Sequence, residues 1–256
     1  MDALITAGGL PEVGDPLYPF TNGIPKAMLD ICGKPMIQWV LDALEEAEAI
    51  KRVVIIGIQP VDGLRSSKLQ HILPDQGGMI DNIRAGVLKI QAENPEIRHV
   101  AVVSSDIPAI LPEQVDWVVR TAQESDDDIY YNVVTREVME KRFPGSNRSY
   151  IHLKDMDVCG GDLNVVRASL VNGSDELWEK IIASRKNAMK QAALLGYDNL
   201  LLLLLRQISL ENAVRRVAKR LNLTGRALVC PYAEIAMDVD KPHQLEIMRA
   251  DLSKRI

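Results

Sequence analysis

Four short stretches of this chain hold residue types that handle phosphate and divalent cations. The first runs Leu4-Ile5-Thr6-Ala7-Gly8-Gly9 and continues, after a proline-rich loop, as Pro25-Lys26-Ala27-Met28-Leu29 and Gly33-Lys34-Pro35-Met36. Glycines leaving a strand let backbone N–H groups approach a ligand, and a lysine a short loop later can reach phosphate oxygens as a point charge. The glycines alone read as a tight turn; it is their company that suggests a ligand. The stretch is not a P-loop, because Gly9 and Gly14 have that spacing but Asp15 follows where the lysine belongs.

The second stretch is Asp75-Gln76-Gly77-Gly78-Met79-Ile80-Asp81-Asn82. A glycine pair opening a helix offers unpaired backbone N–H groups to a polar ligand edge, a plain loop-to-helix junction being the alternative. The third is Ser104-Ser105-Asp106-Ile107-Pro108. Mg²⁺ needs hard oxygen ligands and takes only one or two from protein. Asp106 could instead cap the next turn, but its position at a strand end favours the metal. The fourth is Met237-Asp238-Val239-Asp240-Lys241-Pro242. Alternation along a strand puts Asp238 and Asp240 on one face, and neighbouring carboxylates repel unless a cation or base lies between them. Asp240 can also cap a helix beginning near Pro242.

The elements around these stretches alternate between strand and helix. Strands are expected at 3–6, 52–56, 100–103 and 129–134, and helices at 35–49, 80–91 and 114–123, from continuous apolar runs alternating with apolar residues at helical spacing. Pro35 suits a first helical turn. Such a pattern means an α/β fold of three layers, α/β/α, around a mostly parallel sheet. Ligands then sit at the carboxyl ends of the strands, so the Gly8 and Asp106 loops share one crevice. Further on, short strands are expected at 150–153 and 163–166 around Cys159-Gly160-Gly161, where Cys159-Gly160-Gly161-Asp162-Leu163-Asn164 could be an acceptor loop or, at least as readily, a turn, and helices at 175–189, 210–221 and 242–252. Ser209 is the expected N-cap of the second of these helices, and a last strand falls at 235–239. Asp126-Asp127-Asp128 reads as a solvated loop. No Gly-, Pro- or Ser-rich linker divides the chain, so one domain over 1–256 is expected, with an acceptor-side insertion at roughly 136–225.

Composition narrows the function. The chain has 256 residues, 47% hydrophobic, with net charge -5, enough for a sizeable core and without a basic face for nucleic acid or membrane. Its longest leucine run, Leu200–Leu205, is far too short to span a bilayer, and the start reads as a strand, not a leader; a cytoplasmic protein is expected. The three cysteines lack CxxC spacing and the four histidines lack HxxxH spacing, which argues against a disulfide scaffold or a zinc site. Arg136, Lys141, Arg142, Arg148 and Lys154 could hold an acceptor phosphate or simply be solvated.

Together, Ala7-Gly8-Gly9, Pro25-Lys26-x-x-Leu29 and Gly33-Lys34-Pro35 resemble the signature of nucleotidyltransferases with a glycosyltransferase-A-like (nucleotide-diphospho-sugar transferase) fold. The nearest group is the molybdenum-cofactor guanylyltransferase-like, or MobA-like, NTP transferases. The resemblance covers residues 1 to about 110, thins between 140 and 230, and returns at the C-terminus. It implies that Ala7, Gly8 and Gly9 hold a nucleotide through the backbone and that Lys26 binds its phosphates. By analogy with the cytidylyltransferases, Gln76, Gly77, Gly78 and Asn82 would lie near base and ribose. It also implies that Asp106 and Asp240 ligate Mg²⁺, with Asp238 in reserve. The family usually has an Arg in the loop before the lysine; here residues 10–25 contain no Lys or Arg, but Glu12, Asp15 and four prolines.

The reaction so implied is in-line attack by a phosphate oxygen of a small phosphorylated acceptor on the α-phosphorus of an NTP, with pyrophosphate leaving. Lys26 and Asp106 are its expected catalytic residues. A homodimer is compatible with the sequence. The alternatives are a glycosyltransferase of the same fold, whose Asp-x-Asp spacing Asp238-Val239-Asp240 shares, and a non-catalytic nucleotide-binding domain.

Overall fold

The computed structural model describes residues 1–61, 63–172 and 202–256. The chain starts as strand β1 (Asp2–Thr6), whose Ala3, Leu4 and Ile5 are wholly buried. A single helical turn, α1 (Tyr18–Thr21), interrupts the proline-rich loop that follows. A strand such as β1 needs apolar cover on both faces, and it has it. Ala3 and Ile5 face a core shared with α2 (Met36–Glu46) and α4 (Pro112–Ala122), while Leu4 faces the opposite way, onto Val87 and Ile90 of α3 (Met79–Glu93). Each large aliphatic side chain buried in this way contributes about 1.5–3 kcal/mol. The result is three layers, as expected.

Strand β1 pairs in parallel with β4 (Arg52–Ile56) on one side and β6 (His99–Ser104) on the other. Outside β4 lies β5 (Leu69–Leu73), which apolar periodicity missed because no residue in it is fully buried. Beyond β6 come β10 (Leu163–Arg167), β7 (Ile129–Thr135), β9 (Asp157–Gly160) and β8 (Ile151–His152). Strand β10 is antiparallel to both β6 and β7, and β11 (Gly225–Val229) pairs in parallel with β7. Mixed but mostly parallel where the expected ligand crevice lies, the sheet belongs to the α/β class. Strands β8, β9 and β10, all from within 136–172, belong to this same sheet.

Several local expectations change. The Cys159-Gly160-Gly161 turn is instead the end of β9, and only Gly161-Asp162 breaks the line of β9 and β10. There Gly161 N donates to Asn132 O and Ser104 N donates to Asp162 O, so the chain crosses from β7 to β6. No strand forms at 235–239. Ala233–Ala236 is a 3₁₀ turn and the rest is irregular, because Val239 N turns to bond Asp106 O at 3.0 Å. Asp127 and Asp128 are not simply solvated: Asp128 accepts from Thr224 and Arg167, and Asp127 N donates to the Tyr130 hydroxyl. Helix α2 stops at Glu46, short of the expected Ala49.

Helix α5 (Arg136–Arg142) follows β7, and helix α6 (Leu210–Arg220) has Ser209 at its N-cap, but the hydroxyl caps nothing; Asp155 accepts from Leu210 N instead. The last helix, α7 (Pro242–Leu252), lies where expected and buries Leu245, Met248 and Leu252. It lies against the small β2–β3 hairpin (Asp30–Ile31, Lys34–Pro35) that follows Lys26, where Arg249 donates to Asp30 O. The expected helix at 175–189 and the six-leucine run lie wholly or partly outside the described residues. Among the described residues no helix is long and apolar enough to cross a membrane.

Candidate active site

The carboxyl ends of β4, β1 and β6 are laced together. Ala7 N donates to Ile56 O at 2.7 Å, and Ser105 N donates to Thr6 O at 3.0 Å. Gly57, at φ 108°, has no room for a side chain: a Cβ there would lie 2.2 Å from Gly8 N. Gly8 is equally tight on its other side, where a Cβ would meet Asn82 Nδ2 at 2.8 Å and Asp75 Oδ1 at 3.1 Å. Gly8 is therefore backbone pressed between two loops, whereas Gly9, at φ 114°, borders open space.

Asp75 and Asn82 form the wall behind it. Asn82 is 2% exposed, donates to Asp75 Oδ1 at 2.7 Å and accepts from Gln76 N at 2.7 Å. Its amide is spent on shaping the loop. Gly77 N donates to Asp75 Oδ2, and Gly78 is the N-cap of α3, as the sequence suggested. Between these loops and the end of β6 opens a crevice of about 410 Å³, lined by Gly8, Gly9, Gly77 and Gly78 and closed at one end by Lys26 and Asp106. Ala7 is buried beneath it, and Gln76 points out of it, its amide donating to Pro74 O. A larger hollow, about 900 Å³, lies between α6 and β11, where none of the expected site residues is found.

Lys26 begins a short 3₁₀ turn, Lys26–Met28, after Pro25 in extended geometry, with Ala27 and Leu29 buried as anchors. Its ammonium reaches Asp106 Oδ2 and Asp240 Oδ1, each at 2.6 Å. Burial alone would lower the Lys26 pKa, but Asp106 and Asp240 outweigh it and the pKa is raised. Two residues 134 positions apart in sequence thus converge on one cation. Asp106 is further fixed by Ser104 Oγ at 2.5 Å. Asp238 does not share this face: it pairs with Arg148, which also lies 4.0 Å from Asp162, while Arg142 binds Glu234 and Asp251. Asp240 does not cap α7 through its side chain, because the N-cap position is taken by Lys241.

The sequence offered Asp162 only as part of a possible acceptor loop or turn and gave it no role of its own. It follows Gly161 at the break between β9 and β10, on the side of β6 away from Gly8. Burial, with Asp106 and Asp240 close by, pushes its carboxyl up to about 7 against the pull of Arg148 and Lys26. The signal was the Gly-Gly-Asp ahead of an apolar strand. The histidines are partnered, His71 with Glu93 and His152 with Asp157, and take no part in the crevice.

A family model described as the MobA-like NTP transferase domain matches residues 4–234. The chain belongs to the MobA-like NTP transferase family. A probable molybdenum cofactor guanylyltransferase of Pyrococcus horikoshii is 29% identical over 100 residues, covering 38% of this chain and 48% of the relative. The bifunctional protein GlmU of Sorangium cellulosum is 29% identical over 126 residues, covering 45% of this chain and 26% of the relative. The chain thus spans about half or less of the length of the curated relatives it matches. Among solved structures, a hypothetical transferase from Thermus thermophilus superimposes with a TM-score of 0.78 at 33% identity, over 96% of this chain and 100% of that one. A CMP:2-keto-3-deoxy-manno-octonic acid synthetase complexed with CTP gives a TM-score of 0.63 at 15% identity over 100% of this chain and 99% of that one, which speaks for the fold alone.

Divalent-cation binding can be tested against the donor set. Two carboxylate oxygens each 2.6 Å from one nitrogen are at most 5.2 Å apart, and both are hard donors. That separation allows both to approach a small oxygen-loving cation, with metal–oxygen distances of about 2.1 Å after modest adjustment. Among the described residues no group of three or more His, Cys, Asp or Glu side chains is arranged to hold a metal, so most ligands would have to come from phosphate and water, as is usual for Mg²⁺.

Proposed function

We propose that this chain transfers a nucleoside monophosphate from an NTP to a small phosphorylated acceptor and releases pyrophosphate. The observation that carries the reading is the convergence of Lys26, Asp106 and Asp240 at the end of a glycine-walled crevice. Family membership supports the same class of reaction.

In this reading the nucleotide lies along Gly8, Gly9, Gly77 and Gly78, where it can approach the backbone without side-chain bulk. An acceptor phosphate oxygen attacks the α-phosphorus, and the bond from that phosphorus to the bridging oxygen of the pyrophosphate breaks. The nucleophile is already anionic, so no protein base is needed; the task is alignment and charge neutralisation. Mg²⁺ held by Asp106 and Asp240 would supply Lewis-acid neutralisation of phosphate oxygens. A cation taking the point between the two carboxylates would displace the Lys26 ammonium, whose three N–H donors would then turn to the leaving pyrophosphate. Ser104 keeps Asp106 oriented through this exchange.

The glycosyltransferase alternative loses ground, because Asp238 and Asp240 pair with different cations and do not form one Asp-x-Asp clamp. The test is pyrophosphate release with each of the four NTPs, Mg²⁺ and a panel of sugar and polyol phosphates, beside thermal shift with each NTP. An accepted NTP at 100 times its dissociation constant adds about 2.7 kcal/mol of stability. Absence of both stabilisation and pyrophosphate with every NTP would overturn the proposal.

A further inference from the structure

Asp240 is about half exposed (54%), lies on neither strand nor helix, and has Lys26 as its side-chain partner, so little burial fixes its position. Its backbone, however, is pinned from two directions. Val239 N, one residue before it, donates to Asp106 O at 3.0 Å, which ties the two carboxylates' main chains together. On the other side, Asp240 N and Lys241 N both donate to Oε1 of Gln244 at 2.9 Å.

Gln244 is 3% exposed, and its Nε2 donates to the carbonyl of Ser146 at 3.4 Å. That carbonyl also accepts from His243 Nε2 at 3.1 Å. Two residues further along the same loop, Arg148 pairs with Asp238. The loop after α5 therefore clamps the segment 238–241 at two points, one on each side of Asp240. A helix beginning at an exposed rim can have its first N–H groups satisfied by water. Here Gln244 closes a capping box on Lys241 N, and the same oxygen reaches one residue further, to Asp240 N, while its amide nitrogen ties both to the Ser146 loop.

We infer that Gln244 and Arg148 are positioning residues for Asp240, holding its carboxylate opposite that of Asp106 so that the two can share one divalent cation. This rests on the proposed function in so far as Asp240 is taken as a cation ligand. Outer partners that orient a metal-binding side chain typically govern about 10–100-fold in metal affinity.

The test is Mn²⁺ binding to the full chain without nucleotide, followed by electron paramagnetic resonance, in wild type, Asp240→Ala, Gln244→Met and Gln244→Glu. Gln244→Met is expected to weaken Mn²⁺ binding about tenfold or more. Gln244→Glu keeps an acceptor for the two N–H groups but loses the donation to Ser146 O, and its Mn²⁺ affinity is expected to fall between those of wild type and Gln244→Met. Arg148→Met, read in the same way, replaces Gln244→Met if the latter does not fold. Wild-type Mn²⁺ affinity in a folded Gln244→Met protein, with binding lost in Asp240→Ala, overturns the positioning role alone. Wild-type affinity in Asp240→Ala, or no binding in wild type, overturns it together with the cation reading of Asp240.

Discussion

Replacing Lys26 with Met keeps most of the side-chain volume and removes the charge between Asp106 and Asp240. The oxygens that now meet it, each 2.6 Å from its nitrogen, would face each other across at most 5.2 Å. At an effective dielectric constant of about 20, two unit charges at that separation repel by ~3 kcal/mol. Asp240 is about half exposed, so screening reduces this to about 1 kcal/mol. With the two lost attractions, also screened, the metal-free variant should be ~1–2 kcal/mol less stable, or a few degrees in Tm for a chain of this size. Mg²⁺ should then restore more stability to Lys26→Met than it adds to wild type, because a second cation takes up the same two carboxylates. Turnover should fall by about 10²–10³ in the same variant, since the charge on the leaving pyrophosphate is lost. Lys26→Arg should keep the stability and recover only part of the rate, a planar fork not being a point charge. Calorimetry with EDTA and with Mg²⁺, beside a pyrophosphate-release assay, measures all of these. A Lys26→Met protein with wild-type Tm, the wild-type response to Mg²⁺ and wild-type pyrophosphate release would show that the lysine is a surface residue and that the site has been misread.

Three further outcomes follow from the same geometry. Gly57→Ala puts a Cβ 2.2 Å from Gly8 N at φ 108°, so it should cost about 1–3 kcal/mol and abolish the thermal shift with NTP; normal NTP binding would remove the Gly8 backbone from the site. Asp162→Asn bears on pH. The native carboxyl holds its proton up to about 7, whereas an ordinary carboxyl releases it near 3.8, so the native state binds more protons in that window and stability falls as pH rises through it. The variant lacks this loss, and its Tm in EDTA should fall less than that of wild type between about pH 5 and 8; parallel curves would mean that Asp162 ionises normally. Asp240→Ala should raise the Mg²⁺ concentration for half-maximal pyrophosphate release about tenfold or more, and an unchanged requirement would move the role to Asp238 or elsewhere.

The parallel half of the sheet was legible because its physics is local. A strand buried on both faces must be apolar throughout, as 3–5 and 53–56 are, and the glycines and Asp106 that follow such strands can only lie at the sheet's carboxyl edge. Strand β5 escaped because an edge strand needs no such run. The order of the remaining strands escaped for a different reason. Nothing in Leu163-Asn164-Val165-Val166 says that it inserts antiparallel between β6 and β7, where Asn132 meets it, bonding Leu163 O through its side chain and Gly161 N through its carbonyl.

The same distinction runs through the site. Lys26 and Asp106 could be read from spacing because each sits a fixed short distance from a strand or an anchored turn. Asp240 was identified by resemblance, and the strand alternation offered for it fails, since its segment is irregular and Asp238 turns to Arg148. What orients Asp240 is a set of long-range contacts, from Asp106 O to Val239 N and from Ser146 through Gln244, that no local pattern encodes. Arg148 and Asp162 show the limit most clearly. In sequence the arginine is one of five basic residues around an uncertain loop, and the aspartate is one letter after a glycine pair. Only when β10 lies against β6 does Asp162 come near Asp106 and Asp240, with the half-buried Arg148, already paired with Asp238, 4.0 Å from it. A residue whose chemistry depends on which strands are neighbours becomes legible when the topology is known, and not before.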